Sequence, residues 1–139
     1  MRRAFAQRHD AVGKSQMILV DTSVWIDHLA RGDSGLQSLL EEGEVLMHPY
    51  IVAEIALGSL TRRDETVGAL QALPEVTVAR HVEVMAFLGN ERLFGIGIGY
   101  VDLHLLAATR LAAGTKLWTR DRRLLQAALR LDLARFPAH

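Results

Sequence analysis

Residues 17–27, MILVDTSVWID, decide how the rest of the chain reads. The first four are apolar at every position, as in a strand covered on both faces within a parallel sheet. Asp21-Thr22-Ser23 ends that run abruptly. A carboxylate therefore stands at the carboxyl edge of the first strand, where open α/β sheets bind ligands. Val24-Trp25-Ile26 leads on through Asp27, His28 and Leu29 to a break at residues 31–35, RGDSG.

Outward from this stretch, helix and strand signals alternate. Residues 36–42 (LQSLLEE) place Leu36, Leu39 and Leu40 at helical spacing before Gly43, and residues 44–47 (EVLM) follow as a second strand. Pro49 suits the first turn of a helix reaching about residue 57, closed by Gly58. Residues 62–73 and 81–94 read as two further helices, with a short extended piece at 76–78. A Leu- and Ala-rich helix over 102–113 stops at Gly114, and residues 116–119 (KLWT) form a strand. A helix to about residue 130 and an edge strand over 131–136 complete the pattern. Such alternation predicts a three-layer α/β/α sandwich around a mostly parallel sheet.

The 139 residues fit one domain, and a 50% hydrophobic share excludes a disordered chain. With no cysteine, there is no disulfide, thiolate zinc site or cysteine nucleophile. Net charge is zero, but residues 1–16 carry +3 and the remainder −3. We read residues 1–16 as a flexible N-terminal extension and residues 17–139 as the domain, starting at a second methionine. No apolar run suggests a signal peptide or a membrane span, so the protein reads as soluble and cytoplasmic.

Four acids stand out by position. Asp21 ends the first strand, Asp121 follows a late one, and Asp102 opens a helix. Taken singly, Asp102 and Asp121 read as N-caps. Glu54 lies between Ile51 and Leu57 on an apolar helix, where burial needs compensation, by an ion pair to Arg62 or Arg63 if nothing else. Together the four can converge on one pocket. A pair of carboxylates ~4 Å apart repels by about 4 kcal/mol at an effective dielectric of ~20, so either proton affinities rise or a cation enters. An all-oxygen donor set selects Mg²⁺ or Mn²⁺, the equipment for phosphodiester hydrolysis.

Residues 17–27, residues 50–58 with Glu54, residues 97–108 (GIGYVDLHLLAA) and residues 117–121 (LWTRD) carry these acids at separations of 33, 48 and 19. In that order they resemble a PIN-domain ribonuclease, more narrowly a VapC-type toxin of a type II toxin–antitoxin pair, over residues 17–136. The resemblance implies a Mg²⁺- or Mn²⁺-dependent endoribonuclease. Asp21, Glu54, Asp102 and Asp121 would hold metal and orient the attacking water, while Ser23 and Thr119 hydrogen-bond within the site. It also implies a cognate antitoxin whose C-terminal segment covers the site, and a homodimer. Apolar helical faces between residues 62 and 94 (Leu70, Leu73, Val84, Phe87, Leu88) serve that contact or the core.

Arg120, Arg122 and Arg123 flank Asp121 and are the best-placed cations for RNA phosphates, with Arg62 and Arg63 behind them. Trp25 and Trp118 read as core aromatics beside the site and His104 as packing. Gly95-Ile96-Gly97-Ile98-Gly99 reads as a flexible lead into the helix of Asp102, since it lacks the spacing of a nucleotide-binding loop. A reading of another class is a degenerate PIN-like module that binds RNA or a protein without cutting.

Overall fold

The computed structural model describes residues 16–135. Almost all of the expected N-terminal extension and the end of the last expected strand lie outside them. Ten elements follow in order: β1 (Met17–Val20), α1 (Thr22–Arg31), α2 (Ser34–Glu41), β2 (Val45–Leu46), α3 (Pro49–Ala56), α4 (Arg63–Gln71), α5 (His81–Asn90), α6 (Tyr100–Leu111), β3 (Thr115–Trp118) and α7 (Arg122–Arg130).

The three strands pair in parallel in the order β2-β1-β3, with Leu19 opposite Leu46 on one side and Leu117 on the other. Successive strand residues point to opposite faces. Leu19 and Val20 are both fully buried, as are Leu117 and Trp118 beside them, so both sheet faces are covered. The result is the α/β sandwich that the uninterrupted MILV run predicts. Helix α6 is enclosed as well, with every residue from Leu103 to Thr109 buried.

Chain order reverses around β1, because the connection to β2 leaves on one side and β3 arrives on the other. In open α/β sheets such a switch point, here at the carboxyl ends of β1 and β3, is where ligands bind. Asp21 N–H donates to Trp118 O at 2.9 Å, extending the ladder one residue past β1 and fixing the place of Asp21.

Several boundaries differ from the sequence reading for local reasons. Val24-Trp25-Ile26 belongs to α1, whose N-cap is Asp21. Helix α5 ends at Asn90 rather than 94. Arg92 turns left-handed (φ 55°), and Leu93 N–H reaches back to Leu88 O at 2.9 Å, a closure that does not require glycine. Helix α7 closes the same way, with Asp132 at φ 58° and Leu133 N–H on Ala128 O at 2.8 Å. The expected edge strand after it reduces to a single parallel bridge between Leu117 and Ala134. The extended piece near residue 76 is likewise one bridge, Met47 to Glu75.

Candidate active site

Asp21 is the most anchored of the four acids. It is 6% exposed, and three donors meet at its Oδ2: Thr119 Oγ1 at 2.7 Å, Ser23 Oγ at 2.8 Å and Ser23 N–H at 3.4 Å. Ser23 Oγ also accepts from Arg120 N–H at 2.9 Å, and Thr119 Oγ1 accepts from Asp121 N–H at 3.1 Å. The hydroxyls of Ser23 and Thr119 therefore tie the carboxyl end of β1 to the turn between β3 and α7.

Asp121 caps α7 through Leu124 N–H at 3.0 Å, and its side chain is otherwise exposed. Asp102 is not an N-cap, because α6 begins two residues before it. It occupies the third helical position and accepts from Gly99 N–H at 3.1 Å. Burial pushes its carboxyl up from the ordinary range, the Gly99 bond opposes this, and the charges of Asp21, Asp121 and Glu54 push it further. The four acids thus share one electrostatic neighbourhood, although they come from four separate elements.

Glu54 corrects the burial expectation. It is exposed, and it accepts from Thr22 Oγ1 at 2.6 Å. Among the described residues no ion pair reaches it, since Arg62 pairs with Glu65 and Arg63 with Asp64. Thr22 is a site residue that sequence reasoning missed; its place directly after Asp21 was the available signal. Beside Glu54 a cleft of about 520 Å³ runs between α1 and α3, lined by Ile26, Leu29, Ala30, Ile55 and Leu60.

The arginines divide. Arg120 does not present its charge to the site. Its Nη1 donates to Asp27 Oδ2 at 2.7 Å and its Nη2 to Asp33 Oδ2, and the Asp33 carboxyl is held below its ordinary range, chiefly by that bond. Arg123 lies against the loop that leads to α6, where Gly97 has room for it only because it lacks a side chain. Arg122 is exposed. Of the tryptophans, Trp25 is 3% exposed and Trp118 is 2%, so both belong to the core and neither offers a face to a base.

His104 is packing, as expected, within a ring cluster that also holds His48, Tyr50 and Tyr100. Its ring centroid lies 4.8 Å from that of Tyr50 and 4.6 Å from that of Tyr100. His48 caps α3 through Tyr50 N–H, and burial followed by the nearby His104 pushes it down to about 4. Of the apolar tract expected to contact a partner, Leu70 and Val84 lie in the core, and Leu73, Phe87 and Leu88 pack against it.

Among the described residues, no three acids or histidines form a group placed to hold one metal ion. Each acid is already anchored, Asp21 by hydroxyls, Glu54 by Thr22, and Asp102 and Asp121 by backbone N–H groups. The donor chemistry nevertheless fits a hard ion. Mg²⁺ keeps several waters and takes only one or two carboxylates directly, and excess negative charge around Asp102 is what a dication relieves.

The PIN domain family model matches residues 18–129. The chain is 47% identical to Ribonuclease VapC32 of Mycobacterium tuberculosis over 108 residues, in both strain CDC 1551 and strain H37Rv. That alignment covers 78% of this chain and 87% of the relative. The chain belongs to the PIN-domain family, in its VapC branch.

Proposed function

We propose that this protein is a Mg²⁺- or Mn²⁺-dependent endoribonuclease, the toxin of a toxin–antitoxin pair, held inactive by an antitoxin and working as a homodimer. The observation that carries the catalytic part is the placement of Asp21, held by Ser23 and Thr119 at the carboxyl edge of β1. Burial, then the charges of Asp21, Asp121 and Glu54, push the Asp102 carboxyl up. Acids gathered from four elements at a sheet's switch point are unfavourable for stability and useful only to a cation.

Asp21 and Asp102, the least exposed of the four, would hold the ion. Glu54 and Asp121 would orient water and complete the negative rim. The chemistry that a divalent ion would supply there is Lewis acidity toward a phosphate and toward water. Ser23 and Thr119 hold Asp21 through one oxygen, so its carboxylate cannot rotate away. Arg122 and Arg123 would face the RNA backbone at the N-terminus of α7, where helix N–H groups also favour phosphate.

Asp21→Asn removes charge and keeps shape, so it should abolish Mg²⁺-dependent cleavage of RNA while circular dichroism stays that of the wild type. Cleavage by that variant, or by the wild type in EDTA, overturns the assignment. The spread of the anchored acids favours a second reading, a module that binds RNA or protein without cutting. A Mn²⁺ titration separates the two. A working site raises the melting temperature by linkage, and Asp21→Asn removes most of the rise. No shift at millimolar Mn²⁺ selects the second reading.

A further inference from the structure

The turn between β3 and α7 presents Thr119 and Asp121 to the site, and its backbone is tied inward to Ser23 and Thr119. The side chain between them goes elsewhere. The Arg120 guanidinium lies over the Trp118 ring, 5.3 Å from its centroid, and reaches Asp27 of α1 and Asp33 at the start of α2. Asp33 is held in turn as the N-cap of α2, with Oδ1 accepting from Leu36 N–H at 3.0 Å. A Cβ at position 35 would come within 3.2 Å of Asp33 Oδ1 and 3.4 Å of Trp118 Cη2, so Gly35 leaves these groups their space. The Arg120 side chain is 30% exposed, which shields both pairs in part from solvent.

This is a two-pronged use of one planar fork. Each prong meets a carboxylate on a different element, which a point-charge ammonium cannot match. A guanidinium committed to α1 and α2 is also absent from the RNA path. We propose that Arg120 is a positioning residue, a latch that fastens the β3–α7 turn to α1 and α2 and so keeps Thr119 and Asp121 in register with Asp21. This inference rests on the ribonuclease reading for its effect on rate, but not for the latch itself.

The test uses the full chain with Arg120→Ala, Arg120→Lys, Asp33→Asn and the Ala/Asn double variant. Two readouts apply: steady-state cleavage of an RNA, and amide hydrogen exchange on metal-free protein. A latch predicts that Arg120→Ala lowers kcat roughly tenfold to a hundredfold, the scale of a small misplacement in a site, with KM for RNA little changed. Asp33→Asn should also lower kcat, and the double variant should be no worse than Arg120→Ala, because Arg120→Ala has already lost the Asp33 prong along with that to Asp27. Arg120→Lys should recover little. Exchange at the amides of residues 119–124 should quicken in Arg120→Ala and Asp33→Asn, while amides of 18–20 stay protected.

A raised KM with kcat retained, or a more active Asp33→Asn, overturns the latch and makes Arg120 a phosphate contact. Unchanged exchange in the turn overturns it too. If Arg120→Ala does not fold, Asp33→Asn and Arg120→Lys decide by the same readouts. A wild type that cleaves no RNA overturns the ribonuclease reading, and the exchange data still judge the latch.

Discussion

Thr119 Oγ1 donates to Asp21 Oδ2 at 2.7 Å, across 98 positions of chain, and the same oxygen accepts from Asp121 N–H at 3.1 Å. One buried hydroxyl therefore sets the relative placement of the two acids that cap α1 and α7. Thr119→Val keeps the shape and removes both bonds, leaving a buried carboxylate one donor short. We expect destabilisation of about 1–3 kcal/mol in urea unfolding, and Thr119→Ser should restore most of it. A Thr119→Val protein as stable as the wild type would show that the hydroxyl does not hold the site together.

Asp102 gives a prediction of opposite sign. Burial first, then the charges of Asp21, Asp121 and Glu54, push its carboxyl above the ordinary range, against the Gly99 hydrogen bond. For a group whose folded value is raised, the stability it contributes is complete below the unfolded pKa and is lost as pH rises through the folded one. At neutral pH its ionised form therefore weakens the fold. Asp102→Asn should melt higher than the wild type at pH 7 in EDTA while losing RNA cleavage. A lower melting temperature refutes the crowding.

His48 adds an acid-side prediction. It is fully buried, and burial followed by the nearby His104 pushes it down to about 4, so the fold favours the neutral ring. The unfolded chain binds more protons between the ordinary value near 6.5 and about 4, and stability falls with pH through that window. His104, also lowered by burial, acts in the same direction. Between pH 6.5 and 5, above most carboxylate titration, urea unfolding should lose up to about 1.4 kcal/mol per pH unit from His48, with His104 adding in the same direction. His48→Asn, which keeps an acceptor for the α3 cap, should flatten that slope. A flat wild-type profile contradicts the burial of both rings as neutral groups.

Gly97 is the tightest point between α7 and the loop before α6. Its φ is +84°, and a Cβ there would lie 2.2 Å from Arg123 Nη1. Gly97→Ala combines backbone strain with a clash and should cost about 1–3 kcal/mol. Adding Arg123→Ala should return the steric part and leave the strain, a coupling that a double-mutant cycle in urea reads directly. Strict additivity of the two changes would place Arg123 away from the loop.

The acids themselves were legible in the sequence, but their relations were not. Nothing in LWTRD says that Arg120 turns away from the site toward Asp27 and Asp33, because those partners lie 93 and 87 positions earlier. Glu54 was found for the wrong reason. Of the apolar neighbours that made it stand out, Ile51 is buried but Leu57 is exposed, and so is Glu54 itself, beside Thr22. Helical periodicity reports the apolar face of α3 and is silent on what the other face meets. The glycine-rich lead into α6 likewise looked like slack, whereas Gly97 is where Arg123 packs.

What the sequence alone determined is the local grammar. An unbroken apolar MILV demands cover on both faces, and an acid directly after it must stand at the strand's carboxyl edge, because hydropathy and strand period act between neighbours in the chain. Tertiary structure decided which acid feels which, and which arginine is spent. Those outcomes depend on the β2-β1-β3 order and on side chains meeting across it, and Coulomb forces and hydrogen bonds act through space rather than along the chain.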